Sequence, residues 1–385
     1  MRDQQSVRLI THDDSTDSDQ VTPRPVSGWW WPPLAAVLLL AAPWPPTTID
    51  VVYSGGLYRA GQTILTTISN LTPWTWLDVF AAAALALTVR RIVMTVRDAR
   101  ADRWWPALAE TGRRAMRAIG YVVLAFLLCW GLNYRRTPLM TSLSPVTPPA
   151  STVDDLRQLA TEAATLAGRT RPAARQQLLS YEDIARVLPV PFDQALMHVG
   201  RGRLLVPGRP KYTVFTPFFT RAGVTGMVDP FALESLVHPD LLPFERAFVL
   251  AHEWGHLAGL ADEAEASAVG WSACMRGSDP LVYSASMYLL VEAGAALPAH
   301  VWRDVLAQTD PGVREDLHAL SERMTLIQPA VQATSFRVYD EYLRANAVED
   351  GVRSYSRALQ LILLPVLREQ LNGLRSDPGD PTRLR

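Results

Sequence analysis

Residues 252–256 read His-Glu-Trp-Gly-His, directly after the apolar run Phe248-Val249-Leu250-Ala251. On an α-helix, residues four apart are neighbours on one face, so His252 and His256 project toward one point. Zinc takes nitrogen or oxygen ligands at about 2.0–2.2 Å, and two such histidines supply half of a tetrahedron. Glu253 lies one position round the helix, beside that point rather than on it. That is where a general base for a metal-held water must stand. The HExxH signature therefore predicts a helix, one zinc per chain and a zincin-like metallopeptidase domain.

The neighbourhood of the motif supports a metal over a chance pair of histidines. Small residues surround it (Ala251, Gly255, Ala258, Gly259), as a helix packed closely around a metal requires. A dense acidic segment follows, Asp262-Glu263-Ala264-Glu265, and offers a third ligand. Gly259 suits the end of the motif helix. Asp262 then stands where the pattern HExxHxxGxxH places its third ligand. The gluzincin pattern instead sets Glu-x-x-(Ala/Ser)-(Asp/Asn) on a second helix, and Glu263-Ala264-Glu265-Ala266-Ser267 fits that form. Glu263 is then the ligand and Ala266 the small residue packed on the motif helix. Ser267 takes the place, usually aspartate, that orients a ligand histidine. Asp262 reads equally well as the N-cap of the second helix. The expected order of preference is Glu263, then Asp262, then Glu265.

A length of 385 residues leaves room for a globular domain and more. Net charge is −1, and no phosphate-cradling glycine loop or basic-aromatic stripe is present, so no nucleic-acid partner is expected. Two cysteines, Cys129 and Cys274, exclude a disulfide framework and a cysteine metal site. Lysine occurs once, at Lys211.

Residues 1–28 read as a disordered cytoplasmic tail, polar and poor in aromatics. Three apolar spans follow, Trp29–Pro46, Trp74–Val89 and Ala118–Leu132, the first flanked by Trp29, Trp30, Trp31 and Trp44. Their lengths and tryptophan belts predict a three-span membrane region over 29–134. Eight arginines lie between spans two and three (Arg90, Arg91, Arg97, Arg100, Arg103, Arg113, Arg114, Arg117), against Arg59 alone between spans one and two. The positive-inside rule then makes the amino terminus cytoplasmic and everything after span three extracytoplasmic.

Residues 135–151 read as a Pro/Ser/Thr linker, 152–375 as the zincin-like domain and 376–385 as a disordered tail. The expected fold class is α+β, mostly helical with a small sheet, preceded by three transmembrane helices. Leu156, Leu159, Ala160, Ala163 and Leu166 mark one face of a helix over Thr152–Gly168. Lys211–Phe219 reads as a strand, and 223–229 as a strand or turn just before the motif helix. An edge strand there would accept an extended substrate peptide. From Ser284 onward the pattern is mostly helical.

Several stretches also resemble a known family. They are 130–138 (Trp-Gly-Leu-Asn-Tyr-Arg-Arg-Thr-Pro), 223–234, 252–259 with 263–266, Tyr283-Ser284, 342–346 and 351–355. Together they resemble the bacterial membrane proteins known as domain of unknown function 3810, which is placed with the gluzincin-like metallopeptidases. The resemblance covers most of the chain from span one to about residue 365 and implies a membrane-anchored zinc peptidase fold. Ser267 stands where the family usually has asparagine, and His238 also replaces an asparagine.

A peptidase further needs a donor for the tetrahedral oxyanion, drawn in gluzincins from the part after the third ligand. Tyr283, Tyr342 and Tyr355 are candidates, and Asn346 and Arg353 could contact substrate. Glu234 reads as a helix-start acid or as support to the metal ligands. The function expected is a zinc-dependent peptidase in the bacterial cell membrane, acting on a peptide or protein outside it, with Glu253 as general base. The competing readings are an inactive zincin-fold membrane protein that binds a partner or cell-envelope component, and a zinc amide hydrolase on a non-protein substrate. An intact Glu253 favours the hydrolases, since a binding module needs no base.

Overall fold

The computed structural model describes residues 28–99, 104–144, 151–345 and 355–376. The tails expected over 1–28 and 376–385 lie outside these, apart from Gly28 and Ser376. The chain is mostly helical with one small sheet, an α+β arrangement.

The first helix, α1 (Trp31–Ala41), has eleven residues and rises about 16 Å, roughly half the thickness of bilayer hydrocarbon. Proline at 43, 45 and 46 ends it. The chain then turns by 115° into Pro46–Asn70, where a π-helical stretch (Ile49–Leu57) runs into α2 (Tyr58–Asn70). The expected first span is thus broken rather than one straight helix. Next comes α3 (Trp76–Ala99). Its stretch Trp76–Arg97 is, among the described residues, the one helix long and apolar enough to cross a membrane, and the bent pair counts as at most a second.

Helix α4 (Trp104–Cys129) carries Glu110, Arg113, Arg114 and Arg117 in its first half, and its uninterrupted apolar run begins at Ala118. That apolar half packs on α1. A Cβ on Gly120 would lie 2.4 Å from the Pro33 nitrogen, so only glycine lets the helices approach this closely. Trp31 meets Tyr121 edge to face at 5.3 Å. The Arg135 guanidinium donates to the Leu40 and Ala42 carbonyls, which closes the C-terminus of α1.

The segment expected as a linker begins as structure. Leu139–Leu143 form a short helix, with Leu139 fully buried. Helix α5 (Val153–Gln176) opens on a reciprocal capping box between Thr152 and Asp155. It buries Leu156, Leu159, Ala160, Ala163 and Leu166, the face that the periodicity predicts.

Three strands follow: β1 (Pro210–Lys211), then helix α6 (Thr216–Ala222), β2 (Gly226–Asp229) and β3 (Glu234–Val237). The order is β1-β3-β2. β1 runs parallel to β3 with Lys211 opposite Leu236, and β2 runs antiparallel with Met227 opposite Leu236. The expected strand over Lys211–Phe219 is corrected here, because only its first residue pairs. Asp78, in the first turn of α3, takes the Thr213 hydroxyl and the Val214 N–H at 2.6 and 3.1 Å and draws the chain off the sheet. Pro217 then sits in the first turn of α6, where its fixed φ suits a helix start.

Three helices complete the site: α7 (Pro243–Leu257), α8 (Glu263–Met275) and α9 (Asp279–Ala296). α8 is enclosed on nearly every side, with Trp271 fully buried. α5 lies along α9, and helices continue to Ser376.

Candidate metal centre

Helix α7 carries the motif and is held at both ends. Pro243 occupies its first turn, and the Leu242 N–H donates to Glu245 at 2.9 Å. Gly259 follows its end at φ +81°, a left-handed conformation that glycine adopts without strain. The Tyr58 hydroxyl of α2 donates to the Leu257 carbonyl at 3.0 Å, and Arg136 donates to Gly259 O at 3.0 Å. These bonds satisfy carbonyls that the helix end leaves open.

α7 and α8 cross backbone to backbone. A Cβ on Gly255 would come within 3.0 Å of Ala266 Cα, and one on Gly270 within 2.9 Å of the His252 nitrogen. The Asp262 side chain starts α8 by accepting from Ala264 N and Glu265 N at 2.9 and 3.2 Å. With Asp262 as cap, Glu263 is the first residue of α8 and faces the motif.

His252 and His256 bring their Nε2 atoms to 3.1 Å from each other. The Glu263 carboxylate lies 3.2 Å from His252 Nε2 and, through its other oxygen, 3.6 Å from His256 Nε2. A tetrahedral ion with bonds of about 2.0–2.1 Å sets its ligand atoms about 3.3–3.4 Å apart. The three groups therefore converge at the spacing such an ion imposes. Both Nδ1 atoms are engaged on the outer side, His252 with the Ser267 hydroxyl at 3.1 Å and His256 with the Leu260 carbonyl at 2.7 Å. This holds each ring with Nε2 inward.

The electrostatics are those of ionisable groups gathered in a largely buried place. Burial disfavours charge on Glu263, but His256 and His252 outweigh it and hold the carboxyl well below the usual range. Burial also works against His256 as imidazolium, yet the adjacent Glu263, with Glu253 and the Leu260 carbonyl, lifts its pKa to about 9. Burial lowers His252, against the pull of Glu263.

Glu253 is buried beside the triad, and its Oε2 has no hydrogen-bond partner among the described residues. Burial raises its carboxyl to about 8, with His256 opposing and Glu263 adding. Strand β2 covers it. A Cβ on Gly226 would lie 2.4 Å from Glu253 Oε1, so glycine at that position leaves the room Glu253 occupies. Among the described residues β2 has β3 as its only strand partner and forms one edge of the sheet.

The other sequence candidates lie elsewhere. Asp262 caps α8 and pairs with Arg357. Glu265 accepts from the Leu139 N–H at 2.5 Å, with Arg201 and Arg136 near it. Tyr283 donates to Asp316, which Arg171 also holds, so it is tied away from the triad. Glu234 is locked in an ion pair with Lys211. His238 is held between the Thr220 hydroxyl and the Asp240 N–H at 2.9 and 3.1 Å. Asn346 and Arg353 lie outside the described residues, as do the side chains of Tyr342 and Tyr355.

One residue at the site escaped the sequence reading. Tyr288 of α9 stacks on Phe248, ring centroids 3.6 Å apart, and Phe248 in turn lies 6.1 Å from the His252 ring. Burial raises the Tyr288 phenol, and its hydroxyl has no hydrogen-bond partner among the described residues. Five residues are about 140° round a helix, so Tyr283 and Tyr288 cannot face the same way. No signal in the sequence says which of the two turns to the motif helix.

The family described as "Protein of unknown function (DUF3810)" matches residues 53–363. The match begins in the π-helical stretch before α2 and takes in the sheet, the motif helix and α8. No curated protein and no solved structure matches the chain.

Proposed function

The chain belongs to the DUF3810 family, and from that premise we propose that it is a membrane-anchored zinc metallopeptidase. His252, His256 and Glu263 would hold one zinc. The observation that carries this reading is the convergence of those three groups at 3.1–3.6 Å, beside a buried Glu253 with one oxygen unpartnered among the described residues. Zinc in such a site polarises a scissile carbonyl and lowers the pKa of water toward 7.

The chain's own residues supply the rest. Ser267 and the Leu260 carbonyl fix the imidazoles. Glu253, buried and raised to about 8, takes a proton from the attacking water and returns it to the leaving amine. β2 offers its edge to an extended peptide substrate, and the buried Tyr288 hydroxyl, without a partner among the described residues, is the phenol we assign to the oxyanion.

The catalytic unit, residues 152–375 together with what packs on it, lies outside the cytoplasmic membrane in this reading. The Arg91 guanidinium reaches the Thr111 hydroxyl at 2.8 Å, so the arginine-rich ends of α3 and α4 lie together. The sheet whose strand β2 covers Glu253 is joined to the opposite end of α3, through Asp78 and Glu234. Arginine-rich ends stay cytoplasmic, and residues 29–134 form the multi-pass region.

The test is metal content and peptide cleavage by the purified full-length protein beside Glu253→Gln. About one zinc is expected in both, with hydrolysis reduced about 10²–10⁴-fold in the variant. Equal cleavage by both proteins, or no zinc in the wild type, ends this reading.

A further inference from the structure

Helix α2 is amphipathic in the inverted sense. Its buried positions are Tyr58, Gln62, Thr66 and Ser69. The last three are polar, and each bonds inward: Gln62 to Val206 O at 2.6 Å, Thr66 to Leu233 O at 2.9 Å, Ser69 to Glu234 at 2.8 Å. The outward stripe is Ile64, Ile68 and Leu71, exposed by 58, 49 and 78 %. Spacings of four and three put these on one helical face. In a water-soluble protein such a stripe turns to the core and the polar face turns out. Here the protein takes the polar face, and the apolar one is left for another apolar medium.

The segment after β1 and the start of α6 behave alike. Val214 and Phe218 are 73 and 48 % exposed. Val214 is pinned to Asp78, in the first turn of the helix that is long and apolar enough to cross a membrane. Glu234 bonds both Ser69 at the end of α2 and the Trp76 N–H at the start of α3. The C-terminal end of α2, the segment at Val214 and the entry of α3 are therefore joined at one place. Scattered apolar residues on a surface are ordinary; a contiguous set beside a spanning helix is not.

We propose that the outer face of α2, with Val214 and Phe218, is a lipid-facing surface bedded in the bilayer that α3 crosses. Tyr58, on the inner side of the same helix, donates to Leu257 O at the end of the motif helix. A single helix thus separates the bilayer from the metal-centre helix. Taken with the peptidase reading, on which this last step rests, the substrate is a polypeptide held at the membrane surface. The surface itself needs neither metal nor hydrolysis.

Ile68→Cys and Val214→Cys, with Thr161→Cys as an exposed control on α5, test the surface in a Cys129→Ala background; Cys274 is fully buried. Each thiol receives an environment-sensitive fluorophore in the full-length protein, in phosphatidylcholine vesicles with brominated acyl chains. The labels at 68 and 214 should be blue-shifted and lose intensity to the bromolipid, while the label at 161 answers only to aqueous iodide. Iodide quenching at 68 and 214 equal to that at 161 overturns the proposal. So does shielding from iodide without bromolipid quenching, which means that protein, such as a second copy of the chain, covers the face.

Discussion

Lys211, the chain's only lysine, places its Nζ 2.5 Å from Glu234 Oε1, and both side chains are closed off from solvent. The ammonium reaches five oxygens, among them the Ser69 and Trp74 carbonyls, while Glu234 Oε2 accepts from the Thr75 hydroxyl and the Trp76 N–H. The positive charge thus sits at the C-terminal end of α2 and the negative one at the N-terminus of α3. Each sign suits the helix end it meets. The pair ties the sheet to the apolar helix. A compact ammonium fits five converging oxygens, whereas a planar guanidinium needs a fork. That accounts for a lysine in a chain that otherwise uses arginine.

Lys211→Met should therefore cost about 3–5 kcal/mol, because it leaves the Glu234 charge buried without its partner. Lys211→Arg should not restore the loss. Thermal unfolding in detergent measures both, and a wild-type midpoint in Lys211→Met would show that the pair contributes nothing to the fold.

Metal analysis should separate the acids of α8. His252→Ala, His256→Ala and Glu263→Ala lose zinc. Asp262→Ala keeps it and loses about 1 kcal/mol with the helix cap, and Glu265→Ala keeps it too. Zinc lost on Asp262→Ala but retained on Glu263→Ala would move the third ligand to Asp262.

Gly226→Ala should retain zinc and lose most hydrolysis. The added Cβ falls 2.4 Å from Glu253 Oε1, so the carboxylate must leave its place while the triad stays. Unchanged turnover with bound zinc would mean that Glu253 is not used where it stands.

Zinc affinity should climb with pH and level off near 9. An imidazolium cannot ligate, and His256 holds its proton up to about 9 without metal, so binding below that pH expels it. Glu263, well below the usual range, and His252, already lowered, contribute no further proton. At pH 7 at least about one proton should leave per zinc. Calorimetry in two buffers of different ionisation enthalpy reads this number, and zero contradicts the pairing of His256 with Glu263.

Reporter fusions should read cytoplasmic after residue 105 and extracytoplasmic after 145. The arginines at the joined ends of α3 and α4 set the sign. A cytoplasmic reading at 145 would put the metal centre inside the cell.

Much of the site was legible because it is local. His252 and His256 share a face by helical spacing alone, and Gly259 stops the helix where the sequence places its end. Glu263, Ala266 and Ser267 fall on three distinct roles by their spacing, and the structure puts them against His252 and His256, Gly255 and His252 respectively. The inner face of α5 followed from its period.

What the sequence determined by itself was therefore spacing along single elements, which backbone geometry alone sets. Contacts between elements were decided by the tertiary structure. Tyr283 turns to Asp316 and Tyr288 to Phe248 of the motif helix because α9 packs on both α5 and α7. The strand expected beyond Lys211 is taken off the sheet by Asp78, 135 residues earlier. The buried side of α2 is its polar one, because Gln62, Thr66 and Ser69 find partners more than 130 residues away. Periodicity tells which residues share a face; only the packed partners decide which face turns inward.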